Sequence, residues 1–299
     1  GLVLGLTAVF VRDSLDTRVR SEHEIADRLG VPVLARISTP ARHLRRKDRL
    51  ITIEHPGSRH VEPYHTLRTN FDLANLEHRA RTVLIVSARE SEGKSTTAAN
   101  LAVTLARAGR SVALVDLDMR RPYLDRFFGV HAQPGLTDVA VGTCTLRDAL
   151  HTIPTGPTRG ETSGAGELVL LTSGPLPPDP TQFLNNDAVG EILAELRDNY
   201  DVVLVDSPPV LPVSDAMILS TKVDAMVVIT HAGALDRDTL EELGRVLSLS
   251  ATPRLGFVLA AAESAGGYGY GRPYGYGYGS YPSVGENGHG SRSKFKLKS

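Results

Sequence analysis

The residue types best suited to chemistry are concentrated between residues 83 and 96, which read VLIVSARESEGKST. This segment predicts a strand, then the loop Ala88-x-x-x-x-Gly93-Lys94-Ser95, then a helix. In that order, the loop's backbone N–H groups and the helix N-terminus can cradle phosphates. Lys94 would bring a mobile cation to the β- and γ-phosphates, and Ser95 would be a ligand of Mg²⁺. The predicted nucleotide-binding residues are Ala88, Arg89, Glu90, Ser91, Glu92, Gly93, Lys94, Ser95 and Thr96.

Carboxylates follow two later apolar runs. Asp116 and Asp118 belong to the sequence VDLDMRRP, and Asp206 belongs to VDSPP. Ligands of open α/β sheets bind beyond the carboxyl ends of the strands, where carboxylates can hold Mg²⁺ directly or through its waters. A structural role as a helix N-cap or turn residue is the alternative for each of the three.

Tyrosines are unusually clustered near the end of the chain. Six of the nine lie between positions 268 and 281, among glycines: Tyr268, Tyr270, Tyr274, Tyr276, Tyr278 and Tyr281. This glycine-rich segment cannot bury enough apolar surface to fold alone, so we expect residues 263–299 to be disordered. Residues 266–299 contain five basic residues and one acidic residue, Glu286, which gives a net charge of +4. These tyrosines are either acceptors of a modification or spacers in a low-complexity linker.

Composition excludes several classes of protein. The 33 Lys and Arg residues nearly cancel the 34 Asp and Glu residues among 299, so the overall charge indicates no nucleic-acid partner. The single cysteine, Cys144, excludes an intrachain disulfide framework and a cysteine-based zinc site. No Gly-x-Gly-x-x-Gly follows a predicted strand, which argues against dinucleotide binding.

Short apolar runs alternate with helical periods between about residues 51 and 262. The predicted strands are 83–88, 112–118, 201–207, 225–230 and 255–261. A first helix should begin near Pro63 and bury Leu67 and Phe71, a second should cover 95–108, and two more should follow further on. Residues 154–166 predict a flexible loop. The alternation predicts an α/β fold with a doubly wound, mostly parallel sheet of the P-loop NTPase type.

The start of the chain has a different pattern. Residues 1–11 (GLVLGLTAVFV) are too few to span a bilayer, but arginines follow at once, so we interpret them as the truncated cytoplasmic end of a transmembrane helix. A short core helix is the alternative. A capping box at residues 21–24 and a glycine at position 30 predict one helix, and a strand should follow over 31–37.

The predicted organisation has four parts. Residues 1–11 end a membrane helix, 12–50 form a juxtamembrane segment with a basic linker, 51–262 form the P-loop domain, and 263–299 form the tail. Beside a membrane, the linker's basic residues would attract anionic headgroups.

These motifs together resemble those of the bacterial tyrosine kinases, the P-loop enzymes of capsule and exopolysaccharide biosynthesis, fused to a polysaccharide co-polymerase. The similarity extends over nearly the whole chain. It includes EPYHTLR at 62–68, EGKST in the P-loop, DLDMRRP at 116–122, VVLVDSPP at 202–209 and the tyrosine cluster.

The resemblance implies an ATP-dependent protein-tyrosine autokinase. It implies that Lys94 and Ser95 bind ATP and Mg²⁺, that Asp118 and Asp206 belong to the metal shell, and that Asp116 aligns or deprotonates the incoming phenol. The tail tyrosines would be phosphorylated between neighbours in a homo-oligomeric ring. The ring would lie at the cytoplasmic face of a bacterial cell membrane, as part of the polysaccharide export machinery.

This sequence departs from the family pattern in three places. Ser91 stands where the family often has glycine, and if that position needs a positive φ, serine costs on the order of 1 kcal/mol. His65 replaces an arginine in the helix motif associated with ring assembly. Leu259-Ala260 replaces a pair whose asparagine often contacts the base.

Two other functions remain alternatives. One is a switch ATPase of the chromosome-partition or division-site class, which carries a second lysine where this chain has Arg89. The other is a non-catalytic export scaffold with a sticky tail.

Overall fold

The computed structural model describes residue 19 and residues 22–40, 48–156, 166–231, 233 and 235–262. The predicted membrane-helix end, most of the basic linker, residues 157–165 of the predicted flexible loop, and the tail lie outside this part of the chain. Within it, no helix is long and apolar enough to cross a bilayer.

The described residues form an eight-stranded sheet in the order β1-β8-β7-β2-β6-β3-β5-β4. All neighbouring strands are parallel except β4 and β5, which pair antiparallel at one edge. The strands are β1 (Val33–Ser38), β2 (Thr82–Ser87), β3 (Val112–Asp116), β4 (Leu150–Thr152), β5 (Leu168–Leu171), β6 (Val202–Asp206), β7 (Ala225–His231) and β8 (Arg254–Ala262).

Helices connect the strands. They are α1 (Glu22–Leu29), α2 (Ile51–Glu54), α3 (Glu62–Ala74), α4 (Lys94–Arg107), α5 (Leu124–Phe128), α6 (Leu136–Ala140), α7 (Leu146–Ala149), α8 (Pro180–Leu184), α9 (Asp187–Asn199), α10 (Asp215–Ser220) and α11 (Arg237–Leu247).

The sheet is covered on both faces, which explains its near-continuous apolar strands. Every residue of β2 is buried. Val83 and Ile85 belong to the core shared with α3 and α4, whereas Leu84 and Val86 belong to the opposite core shared with α1, α9 and α11. Successive side chains of a strand point to opposite faces, so one strand supplies both cores. The predicted doubly wound fold is confirmed.

The predicted elements of the central sheet are confirmed to within a few residues. Helix α3 has Pro63 in its first turn and buries Leu67 and Phe71, and α4 covers 94–107, where 95–108 was predicted. The run LVLL, which forms β5, was not predicted, because four apolar residues do not distinguish a buried strand from a helix segment.

The start predicted for the folded domain, residue 51, is too late. Strand β1 pairs in parallel with β8, and α1 packs Ile25 and Leu29 into one core. The sheet therefore includes residues that we assigned to the juxtamembrane segment. A single edge strand far from its partner in sequence leaves no local signal of that pairing.

Gly256 allows β1 to lie close against β8. A Cβ at this position would lie 2.6 Å from Leu34 Cγ and 2.7 Å from the carbonyl oxygen of Pro32. That carbonyl also accepts a 2.9 Å hydrogen bond from the Phe257 N–H. Any side chain here must push the two strands apart.

We therefore predict that Gly256→Ala lowers the free energy of unfolding by about 1–3 kcal/mol, because overpacking separates β1 from β8. Gly57→Ala is the matched control, since a Cβ there meets no described atom within 4 Å. Denaturant titration of both variants measures the difference. Equal stability of the two variants would contradict this account of the β1–β8 contact.

Candidate functional site

The candidate site lies at the carboxyl edge of the sheet, where three neighbouring strands end. Strand β6 lies between β2 and β3, and its last residue, Asp206, pairs in register with both Ile85 and Asp116. The loops after these strands carry the P-loop, Asp118 and the VDSPP segment. The parallel register thus brings together three motifs that are far apart in sequence.

The P-loop adopts a strained conformation that ends at the start of α4. Gly93 has a φ of +92° and is the N-cap of the helix, and Lys94 is its first residue. Ser91 has a φ of +63°. This confirms that position 91 needs a left-handed backbone, which costs a serine on the order of 1 kcal/mol. Such strain is common where a loop must present its N–H groups to a ligand.

Two predicted nucleotide-binding residues instead support the loop from within the chain. Glu92 is buried and accepts a 2.8 Å hydrogen bond from the Arg89 N–H. Burial raises the pKa of Glu92 above its ordinary value. The Arg89 guanidinium donates to the Thr239 hydroxyl and lies 3.4 Å from an oxygen of Asp236, the N-cap of α11. These contacts fix the loop against α11.

Asp206 is a fully buried carboxylate. Neither of its oxygens has a hydrogen-bond donor of normal geometry among the described residues. Burial raises the pKa of Asp206 to about 7. The nearby charge of Asp118 also acts to raise this pKa, whereas the Lys94 ammonium and the Ser95 hydroxyl act to lower it. A buried carboxylate without a partner is costly unless a cation binds to it.

Asp116 and Asp118 differ in their surroundings. The oxygens of Asp116 accept hydrogen bonds from the N–H groups of Asp118, Tyr123 and Leu124, at 2.9–3.2 Å. Burial and then the Asp206 charge raise the pKa of Asp116 to about 8. Asp118 lies at the surface of a cavity next to the P-loop. Asp118 also accepts hydrogen bonds from the N–H groups of Arg120 and Arg121, at 3.3 and 3.0 Å. The turn role left open by the sequence therefore describes both carboxylates, and of the two only Asp118 lines the cavity.

This cavity has a volume of about 380 Å³. Its lining includes Asp118 and six residues of the P-loop and the start of α4: Glu90, Ser91, Gly93, Lys94, Ser95 and Thr96. Of the predicted nucleotide-binding residues, Ala88, Arg89 and Glu92 do not line it. A phosphate chain placed here would meet the α4 N-terminus and the Lys94 ammonium together.

Comparison with known proteins identifies the family. The model of the CobQ/CobB/MinD/ParA nucleotide binding domain matches residues 83–264. Tyrosine-protein kinase YwqD of Bacillus subtilis (strain 168) is 34% identical over 210 residues, which are 70% of this chain and 84% of that protein. The chain belongs to the bacterial tyrosine-protein kinases.

Two further relatives agree with this assignment. The putative tyrosine-protein kinase EpsB of Ralstonia nicotianae is 31% identical over 252 residues, which are 81% of this chain and 32% of EpsB. The solved structure of the BceF tyrosine kinase domain is 26% identical, with a TM-score of 0.70, covering 81% of this chain and 98% of that one. This chain is therefore a tyrosine kinase with a nucleotide-binding P-loop domain, and it spans about a third of EpsB.

The kinase site fits a magnesium ion with few protein ligands. No group of three His, Cys, Asp or Glu side chains in the described ranges could hold a metal ion by itself. Asp118, Asp206 and the Ser95 hydroxyl offer oxygen ligands, and Mg²⁺ commonly keeps waters and takes its remaining ligands from phosphates. A bound cation would interact with the Asp206 oxygens, which have no hydrogen-bond partner of normal geometry among the described residues.

The structure adds kinase-site residues that the sequence analysis did not assign. The Arg120 guanidinium donates to both oxygens of buried Asp215, at 2.7 and 3.2 Å, and to the Thr181 hydroxyl at 3.0 Å. Arg121 forms an ion pair with Glu90. The sequence signal was the MRRP that follows Asp118, but the partners are too distant in sequence to be inferred. The six tail tyrosines lie outside the described residues.

We predict that Asp206→Asn stabilises the ligand-free kinase at pH 8 by on the order of 2 kcal/mol, because it removes a buried charge. The raised pKa means that native Asp206 keeps a proton which the unfolded chain releases from pH 4 upward. The wild-type free energy of unfolding therefore falls between about pH 4 and pH 7, and the variant should lose much of this slope.

Denaturant titrations across this pH range, with and without Mg²⁺ and nucleotide, measure the effect. Asp198→Asn is the control, because that carboxylate is 72% exposed. Identical pH profiles for Asp206→Asn and wild type would contradict the burial argument. Retention of wild-type Mg-nucleotide affinity in the variant would instead contradict a role for Asp206 in holding Mg²⁺.

Proposed function

We propose that this kinase transfers the γ-phosphoryl group of ATP, as its Mg²⁺ complex, to the tyrosines of its own tail. The observation that carries the proposal is the meeting of Lys94, Ser95, Asp118 and Asp206 at one sheet edge, in a chain with six tyrosines between positions 268 and 281. The P-loop supplies the donor site, and the tail supplies acceptors at high local concentration.

Each residue has a proposed task. Lys94 and the N–H groups at the start of α4 bind the β- and γ-phosphates, and Ser95, Asp118 and Asp206 hold Mg²⁺. Bound Mg²⁺ neutralises charge on these phosphates. The phenol oxygen forms a bond to the γ-phosphorus, the bond to the β–γ bridging oxygen breaks, and its electron pair leaves on ADP. The phenol proton passes to a carboxylate or to solvent.

A phenol with a pKa near 10 is a weak nucleophile at neutral pH, so it must be held in line and lose its proton late. Asp116 remains the proposed group that aligns or deprotonates it. Since three backbone N–H groups cover this carboxylate, the role requires the segment after β3 to shift when the phenol enters.

We further propose that the kinase assembles as a homo-oligomeric ring at the cytoplasmic face of the membrane, anchored through residues 1–11, and regulates polysaccharide chain assembly and export. Glu62, His65 and Arg68 follow one another at three-residue spacing on α3, and none of the three is among the buried residues of that helix. Each phosphate adds about −1.5 to −2 charge, so three would reverse the tail charge of +4. Phosphorylation would then replace attraction between subunits by repulsion.

The contacts of Arg89 argue against the switch-ATPase alternative. That class carries a second lysine at this position, where this chain has Arg89. Here the guanidinium is held by Thr239 and Asp236 of the same chain.

We predict that Lys94→Ala abolishes phosphate on the tail tyrosines, lowering incorporation by at least about 100-fold, because the β- and γ-phosphates lose their cation. The measurement is phosphosite mass spectrometry after incubation with Mg-ATP. Lys222→Ala is the control. Lys222 lies just before β7, at the opposite edge of the sheet, and its ammonium donates a hydrogen bond to the Asn186 carbonyl. Phosphate that persists in Lys94→Ala, or its absence from the wild-type tail, would refute the proposal.

A further inference from the structure

The cavity next to the P-loop has an apolar wall that phosphate groups do not need. The wall consists of Phe127, Pro208, Pro209, Pro212 and Val213. Lys94, Ser95 and Asp118 line the same cavity. A site that only hydrolyses ATP must admit water beyond the γ-phosphate, whereas apolar surface there suits an organic acceptor.

The segment that carries most of this wall is fixed to the P-loop strand. The Ser207 hydroxyl donates to the Ile85 carbonyl at 2.8 Å, and the N–H groups of Val210 and Leu211 donate to the carbonyls of Ser87 and Ala88 at 2.9 and 3.3 Å. The prolines restrict the backbone further. The wall therefore has a set position relative to Lys94, and binding against it requires little ordering.

Phe127 supplies an aromatic surface at the other end of the wall. Its ring packs edge-on against Tyr123, with centroids 5.1 Å apart and an interplanar angle of 68°. It is half-buried and packs against the core on one side, which leaves the rest toward the cavity. Aromatic rings favour such edge and offset contacts with another ring, so a phenol is a suitable occupant.

The mouth of the cavity is polar. Glu90 and Arg121 both line the cavity and form an ion pair with each other, and their side chains are 49% and 72% exposed. An acceptor must therefore insert its ring past a charged rim while its backbone stays outside. Residues without a Cβ on either side of the tyrosine allow the closest approach of that backbone.

The tail has this local pattern. Tyr268, Tyr270, Tyr276 and Tyr278 each have glycine on both sides, whereas Tyr274 follows a proline and Tyr281 lies between serine and proline. Strand β8, which leads to the tail, ends at Ala262 on the same sheet edge as the P-loop. The ideal Cβ position of Gly93 lies 3.7 Å from the Ala260 Cβ. Six further residues lead to Tyr268, and at about 20 Å when extended this length is enough to reach the cavity next to the P-loop.

We propose that Phe127, Pro209, Pro212 and Val213 form the acceptor subsite, and that this subsite takes the phenol ring of a tyrosine flanked by glycines. The inference rests on the proposed function and adds the residues that select the acceptor. Phe127 and Val213 are then specificity-determining residues, distinct from the groups that bind Mg-ATP.

The test uses the full chain with alanine at the six tail tyrosines, so that a synthetic peptide of residues 266–281 is the acceptor. We expect Phe127→Ala to raise the KM for the peptide about tenfold and to leave the KM for ATP within about twofold. Phe128→Ala is the matched control, because Phe128 is the next residue of α5, also packs against the core and does not line the cavity.

A second variant covers the case in which Phe127→Ala fails to fold. Val213→Thr keeps the side-chain shape, lies near the surface, and should raise the peptide KM about threefold. Unchanged peptide KM in the folded variants, with a parent chain that phosphorylates the peptide, would overturn the subsite alone. A parent chain that consumes Mg-ATP without phosphorylating the peptide, together with a native tail that stays unmodified, would overturn the proposed function and the subsite with it.

The glycine requirement is tested with a second peptide in which valine replaces the glycines on both sides of each tyrosine. We expect its kcat/KM to fall by at least about tenfold. Equal kcat/KM for the two peptides would refute the selection of glycine-flanked tyrosines.

Discussion

The parallel pairing of β6 with β2 and β3 is the constraint on which the site depends. It sets Asp206 opposite Asp116 at the ends of adjacent strands and beside the P-loop that follows β2. The Asp206 charge raises the pKa of buried Asp116, and neither oxygen of Asp206 has a hydrogen-bond partner of normal geometry within the described part of the chain. A cation bound beside Asp206 would offset the cost of this arrangement, which would link the core of the sheet to the chemistry of the site.

The loop that follows β2 shows the same relation between strain and function. Ser91 and Gly93 hold positive φ values that most residues avoid. Two contacts stabilise this conformation. The Glu92 carboxylate accepts a hydrogen bond from the Arg89 N–H, and the Arg89 guanidinium donates one to Thr239 of α11. Helix α11 in turn contacts α1 through an ion pair between Arg237 and Glu24, 2.7 Å apart. The P-loop is thus supported by elements from both ends of the described chain.

The sequence predicted the fold class and the central part of the site because both depend on local patterns. Strand β2, the loop and α4 follow one another within about 25 residues, and their motif needs that order. The place of β1 in the sheet, the strand β5 and the ion pair of Arg120 with Asp215 depend on pairings between distant segments, for which one sequence carries no signal. The lack of a well-formed hydrogen bond to buried Asp206 likewise depends on the three-dimensional packing. Its residue type suggested a metal ligand, but only the packing around it shows that neither oxygen has a hydrogen-bond partner of normal geometry among the described residues.

As a tyrosine kinase, this protein delivers the phosphoryl group of ATP to tyrosine and not to water. The most direct measurement follows ADP, free phosphate and phosphotyrosine in the same sample of the full chain during incubation with Mg-ATP. Our account predicts that each ADP formed is matched by one phosphotyrosine, with little free phosphate, until the tail acceptors are filled. Formation of ADP and free phosphate in equal amounts, without phosphotyrosine, would contradict it.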